Sequence, residues 1–261
     1  MSGPVLHWDI EQNSAVWLAA RMAIPTASAF DRIITPEGKR SAQSTVYMAK
    51  LLWEWLSGYP IQEDEDPYES DFMRTGHEYE ERTVATFEFV TGYKAEKIGG
   101  ISNWDGMLWA SPDRVIRASS DSLLACAEVK SPAPWTQLMY WFDKEEKPAV
   151  VSDKKEELLL IKKYRPQLQG QLLVAETDKQ FACSDHPKCK PVLLEVGRDE
   201  PYIKTASQYL REFVDKILER RLILEREFGK RKPAQQQPAD GLNEFGVTME
   251  DVEAIIAAKN K

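Results

Sequence analysis

MLWASPDRVI (residues 107–116) and LLACAEVKSP (residues 123–132) are two short apolar runs, each carrying one acidic residue. Ser119, Ser120 and Asp121 lie between them. Apolar runs of this length separated by turn-type residues predict two strands of a hairpin. Such a hairpin brings Asp113 close to Glu128 and Lys130. Glu128 and Lys130 are two apart, so they share one strand face. Two carboxylates and an ammonium at the end of an apolar sheet suit a hard divalent cation and a phosphodiester. A surface salt bridge accounts equally for this pattern taken alone.

Working outward, residues 98–116 are expected to hold two strands around Asn103-Trp104-Asp105-Gly106, where Asp-Gly signals a turn. Residues 121–131 form the strand with Glu128 and Lys130, ended by Pro132 and Pro134. A helix over 136–142 follows. Residues 156–176 read as helical, with a break or kink at Pro166. Gln167 and Gln171 share a face of it, either as functional groups or as a polar rim. Residues 179–184 and 191–196 read as a strand pair, and 202–228 as a long helix with Tyr209, Leu210, Phe213, Ile217, Leu218 and Leu222 as its core stripe.

Upstream, residues 11–22 predict a short helix stopped near Pro25. Thr26 or Ser28 then caps a second helix through Phe30 and Ile33. Its N-terminus is a natural seat for a phosphate, with Arg21 in reach. Residues 45–56 form an amphipathic helix, and 74–92 a longer one with Tyr79, Thr83, Phe87 and Val90 inward and Gly92 at its end.

The 261 residues allow a sizeable core in one large or two small domains. Hydrophobic residues make up 43% and charged residues 29%, as in an ordinary soluble protein. No apolar run reaches the roughly 18 residues of a membrane span, and residues 1–10 lack the basic and apolar segments of a secretory signal. Three cysteines point to a reducing compartment, hence a cytoplasmic protein. Cys183, His186 and Cys189 supply three zinc-type ligands where four are wanted. The net charge of −8 speaks against a broadly basic nucleic-acid surface, though a channel can be locally basic. Lys39-Arg40 and the group Lys154, Lys155, Lys162, Lys163 and Arg165 are the candidate contacts to a DNA backbone. Residues 229–241 are a linker by composition. Residues 242–261 form a short helical tail, opened by a capping-box-like Thr248 and Asp251.

Four separated segments, in order, resemble the lambda-type exonucleases of phage recombination systems. These belong to the restriction-endonuclease-like superfamily with the PD-(D/E)xK signature. The segments are Glu11-Gln12 with Trp17, Arg21 and Thr26-Ala27-Ser28; Gly76 with Tyr79-Glu80 and Phe87-Glu88-Phe89; Ser111-Pro112-Asp113 with Glu128-Val129-Lys130 and Pro132; and Tyr164 with Gln167-Leu168-Gln169. The resemblance implies an α/β (α+β) fold: one nuclease domain over residues 1–228, with a central mixed β-sheet flanked by helices. It implies a Mg²⁺-dependent 5′→3′ exonuclease, with Mn²⁺ as the substitute ion, that digests one strand of linear duplex DNA and leaves a 3′ tail for annealing. By the same resemblance Asp113, Glu128, the Val129 carbonyl and Glu80 hold metal. Lys130 and Gln167 serve the attacking water and the phosphate, and Arg21, Ser28 and Ser111 hold the terminal 5′-phosphate. His77 falls in a matched segment without a role. The implied partners are DNA ends, a single-strand annealing protein and two further copies in a ring of three. The implied setting is a bacterial host cytoplasm, with a phage or prophage gene. A non-catalytic DNA-end-binding scaffold and a repair endonuclease of the same superfamily are the alternatives.

Overall fold

The chain, a computed structural model, is described over residues 3–61, 76–118, 122–147 and 157–229, with backbone only for 76–78. The acidic loop, the turn at 119–121, Lys154, Lys155, and the linker and tail beyond Gly229 lie outside the described residues.

Strand β1 (Val5–His7) leads to helix α1 (Ala15–Arg21), whose N-terminus is capped by Ser14 accepting from the Trp17 N–H at 3.2 Å. After Pro25 comes a short 3-10 helix (Ala27–Arg32) rather than the expected α-helix. Its cap residue, Thr26, makes no side-chain capping bond to a helix N–H, so the first turn of an α form has no such anchor. Helices α2 (Ser44–Ser57) and α3 (Gly76–Thr91) follow. Each is closed by a left-handed glycine, Gly58 at φ 78° and Gly92 at φ 72°. Thr83, Val84 and Phe87 form the buried face of α3, whereas Val90, expected inward, is 63% exposed, since it lies to one side of that face while Thr91 continues it half-buried.

Residues 98–117 hold three strands, one more than expected: β2 (Gly100–Asn103), β3 (Leu108–Ala110) and β4 (Arg114–Arg117). Pro112 has no N–H to continue a ladder, so the run is cut there and its second half joins another sheet. β1, β2 and β3 make an antiparallel three-stranded sheet. β4 pairs antiparallel with β5 (Leu123–Lys130), giving the expected hairpin. β5 then runs through α4 (Pro134–Glu146) and α5 (Leu159–Ala175) to β6 (Lys179–Ser184), with which it pairs parallel. β7 (Val192–Gly197) closes the sheet antiparallel to β6. The result is the expected mixed sheet flanked by helices.

Helix α5 passes through Pro166 unbroken. The missing N–H removes one helical bond, but Pro166, Leu168 and Leu172 are all buried, so packing holds the helix across the gap. Helix α6 (Glu200–Phe228) is capped by Asp199. Its buried stripe runs through Ile203, Ala206, Leu210, Phe213, Val214 and Ile217, with Leu224 beyond still packed against the core; Leu218 and Leu222, expected in the core, are exposed because they sit beside that stripe and not on it. The main core gathers Phe30, Tyr47, Leu51, Ile101, Leu210 and Phe213, and a second cluster lies between α4, α5 and β6–β7.

Candidate active site

The β4–β5 register pairs Arg114 with Ala127, which sets Asp113 across from Glu128. Asp113 Oδ2 accepts the Val129 N–H at 2.6 Å, so the acid at the mouth of β4 is fixed to the strand beside it. On the same face of β5, Lys130 Nζ donates to Glu128 Oε1 at 2.6 Å. Gln167 Nε2 on α5 donates to the same oxygen at 2.6 Å, and Gln171 Nε2 to Glu128 Oε2 at 2.6 Å. Tyr164 flanks the Lys130 ammonium at 4.8 Å. The expected trio therefore converges, and the paired glutamines meet it.

The electrostatics are those of charge held under strain. Burial pushes the Asp113 carboxyl well above the usual carboxylate range, and Glu128 pushes it further, against the pull of Lys130 and the Val129 N–H. Burial disfavours the Lys130 ammonium, but Glu128 and then Asp113 outweigh it, and its pKa is raised. Burial, with the two carboxylates behind it, lifts the Cys183 thiol to about 12, so it stays protonated.

Glu80 stands near this centre, close enough to act on Asp113. Its carboxylate is engaged by Arg114 Nη1 at 2.5 Å, and Arg114 Nη2 takes Glu81 at 2.9 Å. Arg114 itself is buried, and sequence reading missed it; the signal was an arginine inside an apolar strand run. Gln12 was quoted without a role: its amide donates to the carbonyls of Ile98 and Pro112 at 2.9 Å each, holding the turn before Asp113. Gln12, Glu80, Lys97, Asp113 and Arg114 line a cavity of about 650 Å³.

A second cavity, about 330 Å³, is lined by Arg21, Thr26, Ser28, Arg32, Tyr47 and Lys50 among others. Arg21 stacks on Trp17 at 4.1 Å and reaches Thr26 Oγ1 at 3.4 Å, with Ser28 Oγ 3.3 Å from that hydroxyl. Arg21 and Ser28 are thus together. Ser111 does not line this cavity. Its hydroxyl accepts from the indoles of Trp17 at 3.0 Å and Trp109 at 2.7 Å, and donates to the Gly99 carbonyl at 3.3 Å. Ser111 therefore adjoins the cavity through Trp17. Of the other basic candidates, Arg40 pairs with Glu212 and Arg165 with Asp199, so both are committed within the fold.

The YqaJ-like viral recombinase domain family matches residues 16–178, which span every element of this site. The chain belongs to that family. Among solved structures, the alkaline exonuclease LHK-Exo from Laribacter hongkongensis superposes with a TM-score of 0.62 at 21% identity, over 82% of this chain and 97% of that one. The same exonuclease in complex with dAMP gives 0.62 at 22% identity, over the same shares. A phage-related exonuclease from Haemophilus somnus matches at 13% identity and a TM-score of 0.48, over 76% and 96%. No curated protein matches. This YqaJ-like chain has the fold of that alkaline exonuclease.

Among the described residues, no three His, Cys, Asp or Glu side chains form a closed metal cage. Mg²⁺ does not need one: it is usually held through one or two carboxylates, with waters and substrate phosphates completing the shell. The opposed carboxylates of half-buried Asp113 and buried Glu128 fit that donor set.

Proposed function

We propose that the chain is a Mg²⁺-dependent 5′→3′ exonuclease that digests one strand of linear duplex DNA and leaves a 3′ single strand for recombination by annealing. The observation that carries this reading is the convergence of Asp113, Glu128 and Lys130 with Gln167. Membership of a viral recombinase family and the shared fold of a solved alkaline exonuclease support it.

In this reading Asp113 and Glu128, with the Val129 carbonyl, hold the ion, and Glu80 assists a second one from the rim. The ion supplies Lewis acidity and an activated water. Lys130 orients that water and offsets charge on the phosphate. For Lys130 to take the water's proton it would first have to lose its own, which Glu128 resists. Gln167 steadies the water or phosphate by hydrogen bonds. Arg21 and Ser28 grip the terminal 5′-phosphate, the guanidinium offering two parallel donors, with Ser111 in support beside Trp17. Mn²⁺ would substitute for Mg²⁺. A ring of three copies, a single-strand annealing partner and action in the cytoplasm of a bacterial host complete the proposal.

Linear and circular duplexes incubated with Mg²⁺ test it. Progressive loss of linear DNA alone, from 5′-phosphorylated ends, is the expected result. Cutting of circles would make the protein an endonuclease, and no cutting of either would make it an end-binding scaffold.

A further inference from the structure

We infer that Gln171 is a positioning residue for the proposed hydrolysis: it fixes the Glu128 carboxylate from the side that Lys130 and Gln167 leave open. The inference rests on the reading of Asp113 and Glu128 as metal-holding carboxylates.

Gln171 is 1% exposed and lies one turn beyond Gln167 on the same face of α5. Lys130 and Gln167 both donate to Glu128 Oε1, while Gln171 alone donates to Oε2, at 2.6 Å. A carboxylate gripped at one oxygen can still swing about that contact; gripped at both, its plane is set. A carboxylate offers about four lone-pair sites. Three are filled here, and the remaining capacity lies on Oε2, beside Gln171.

The rest of the glutamine shows that it is not there for packing. Its own Oε1 is buried and has no hydrogen-bond partner among the described residues. Such an orphan costs roughly 1–3 kcal/mol. An apolar residue in the same place, next to buried Leu168 and Leu172, would avoid that cost. Gln169, two residues earlier, makes the contrast. Its amide donates to the Gly197 carbonyl at 3.0 Å and its oxygen accepts the Asp199 N–H at 2.9 Å. Both ends are satisfied and both partners are backbone, so Gln169 ties α5 to β7 and α6. Gln171 has one partner, and it is the candidate metal-holding carboxylate.

Gln171→Met keeps length and burial and removes the donor. Titration calorimetry with Mg²⁺ on the full chain without DNA should show the dissociation constant rising about 10–100-fold, the usual effect of removing a group that orients a metal ligand. On 5′-phosphorylated duplex kcat should fall while KM for ends stays unchanged. Gln169→Met should lower the melting temperature and leave Mg²⁺ affinity as it was. Gln171→Glu, which replaces the donor with an acceptor, should lose at least as much affinity as Gln171→Met. If wild type binds Mg²⁺ and cuts, and Gln171→Met matches it in both, the inference alone fails. If wild type neither binds Mg²⁺ nor cuts, the functional reading fails and takes the inference with it. If both Gln171 variants fail to fold while Gln169→Met folds, Gln171 is a structural residue and the inference is overturned.

Discussion

The two halves of the candidate site are built in opposite ways. Around Glu128 the carboxylate is buried, its charged neighbours are half-buried, and both acids are tied down: Lys130, Gln167 and Gln171 on Glu128, and Val129 on Asp113. Around Arg21 the charges line an open cavity of about 330 Å³, and the cations there outnumber the one lining acid, Glu54. The first arrangement suits a small ion and a single reacting bond, where fixed dipoles act most strongly. The second suits an anion that arrives from solvent and leaves again. One helix spans both. Gln167 and Gln171 of α5 face Glu128, while Gly170 between them lies against Phe30, two residues from Ser28. A Cβ on Gly170 would meet the Phe30 ring at 2.5 Å. The proposed hydrolytic centre and the proposed end-binding cavity thus share one helix.

That contrast can be broken from either side. Lys130→Ala should leave DNA-end binding intact and reduce cleavage by about 10²–10³-fold, the range for losing a positioned donor that offsets developing charge; single-turnover rates read it, and wild-type cleavage would remove Lys130 from the chemistry. Arg21→Ala should spare the hydrolytic centre and weaken the preference for 5′-phosphorylated over hydroxyl ends by roughly 10–100-fold, the worth of one hydrogen bond to a charged group. An unchanged preference would detach Arg21 from the proposed pocket.

The helix that joins the halves offers the next test. Gly170→Ala should cost about 1–3 kcal/mol of stability, as overpacking does, measured by urea denaturation. Because the displaced Phe30 abuts the segment carrying Ser28, the variant should also lose part of its preference for phosphorylated ends.

The smallest effect concerns Asp113. Its folded pKa is raised, so between the ordinary aspartate value and that higher value the folded state binds more protons than the unfolded one. Its contribution to stability is therefore full below the ordinary value and is lost as pH rises. In metal-free buffer Asp113→Asn should melt above wild type at pH 7, and the gap should close as the pH is taken below the ordinary aspartate value. A wild type more stable than the variant at pH 7 would show that Asp113 is not strained by burial.

Much of this was legible in the sequence because it depends on strand periodicity. Glu128 and Lys130 share a face for the period-two reason, and the pairing of the two apolar runs as adjacent strands brings Asp113 to them. The four-residue spacing of Gln167 and Gln171 put both on one face. What sequence could not supply was the partner of each buried polar group. Arg114 beside Asp113 drew no reading from the sequence, yet it is buried between Glu80 and Glu81. Ser111 looked like a phosphate ligand from its motif, yet two indoles occupy its hydroxyl. Pro166 looked like a helix end because local geometry penalises it, and tertiary packing overrode the penalty. Val90, Leu218 and Leu222 were placed inward because an apolar residue near a stripe reads like one on it; the buried faces run through Thr83, Val84 and Phe87 and through Leu210, Phe213, Val214 and Ile217, beside them.

The account stands on Glu128 as the carboxylate around which the other groups are arranged. The most direct test is single-turnover digestion of a 5′-phosphorylated linear duplex in Mg²⁺ by wild type and by Glu128→Ala, with DNA-end binding followed in parallel. The account predicts mononucleotide release by wild type, and retained binding with no release by the variant. Equal release by both proteins would contradict it.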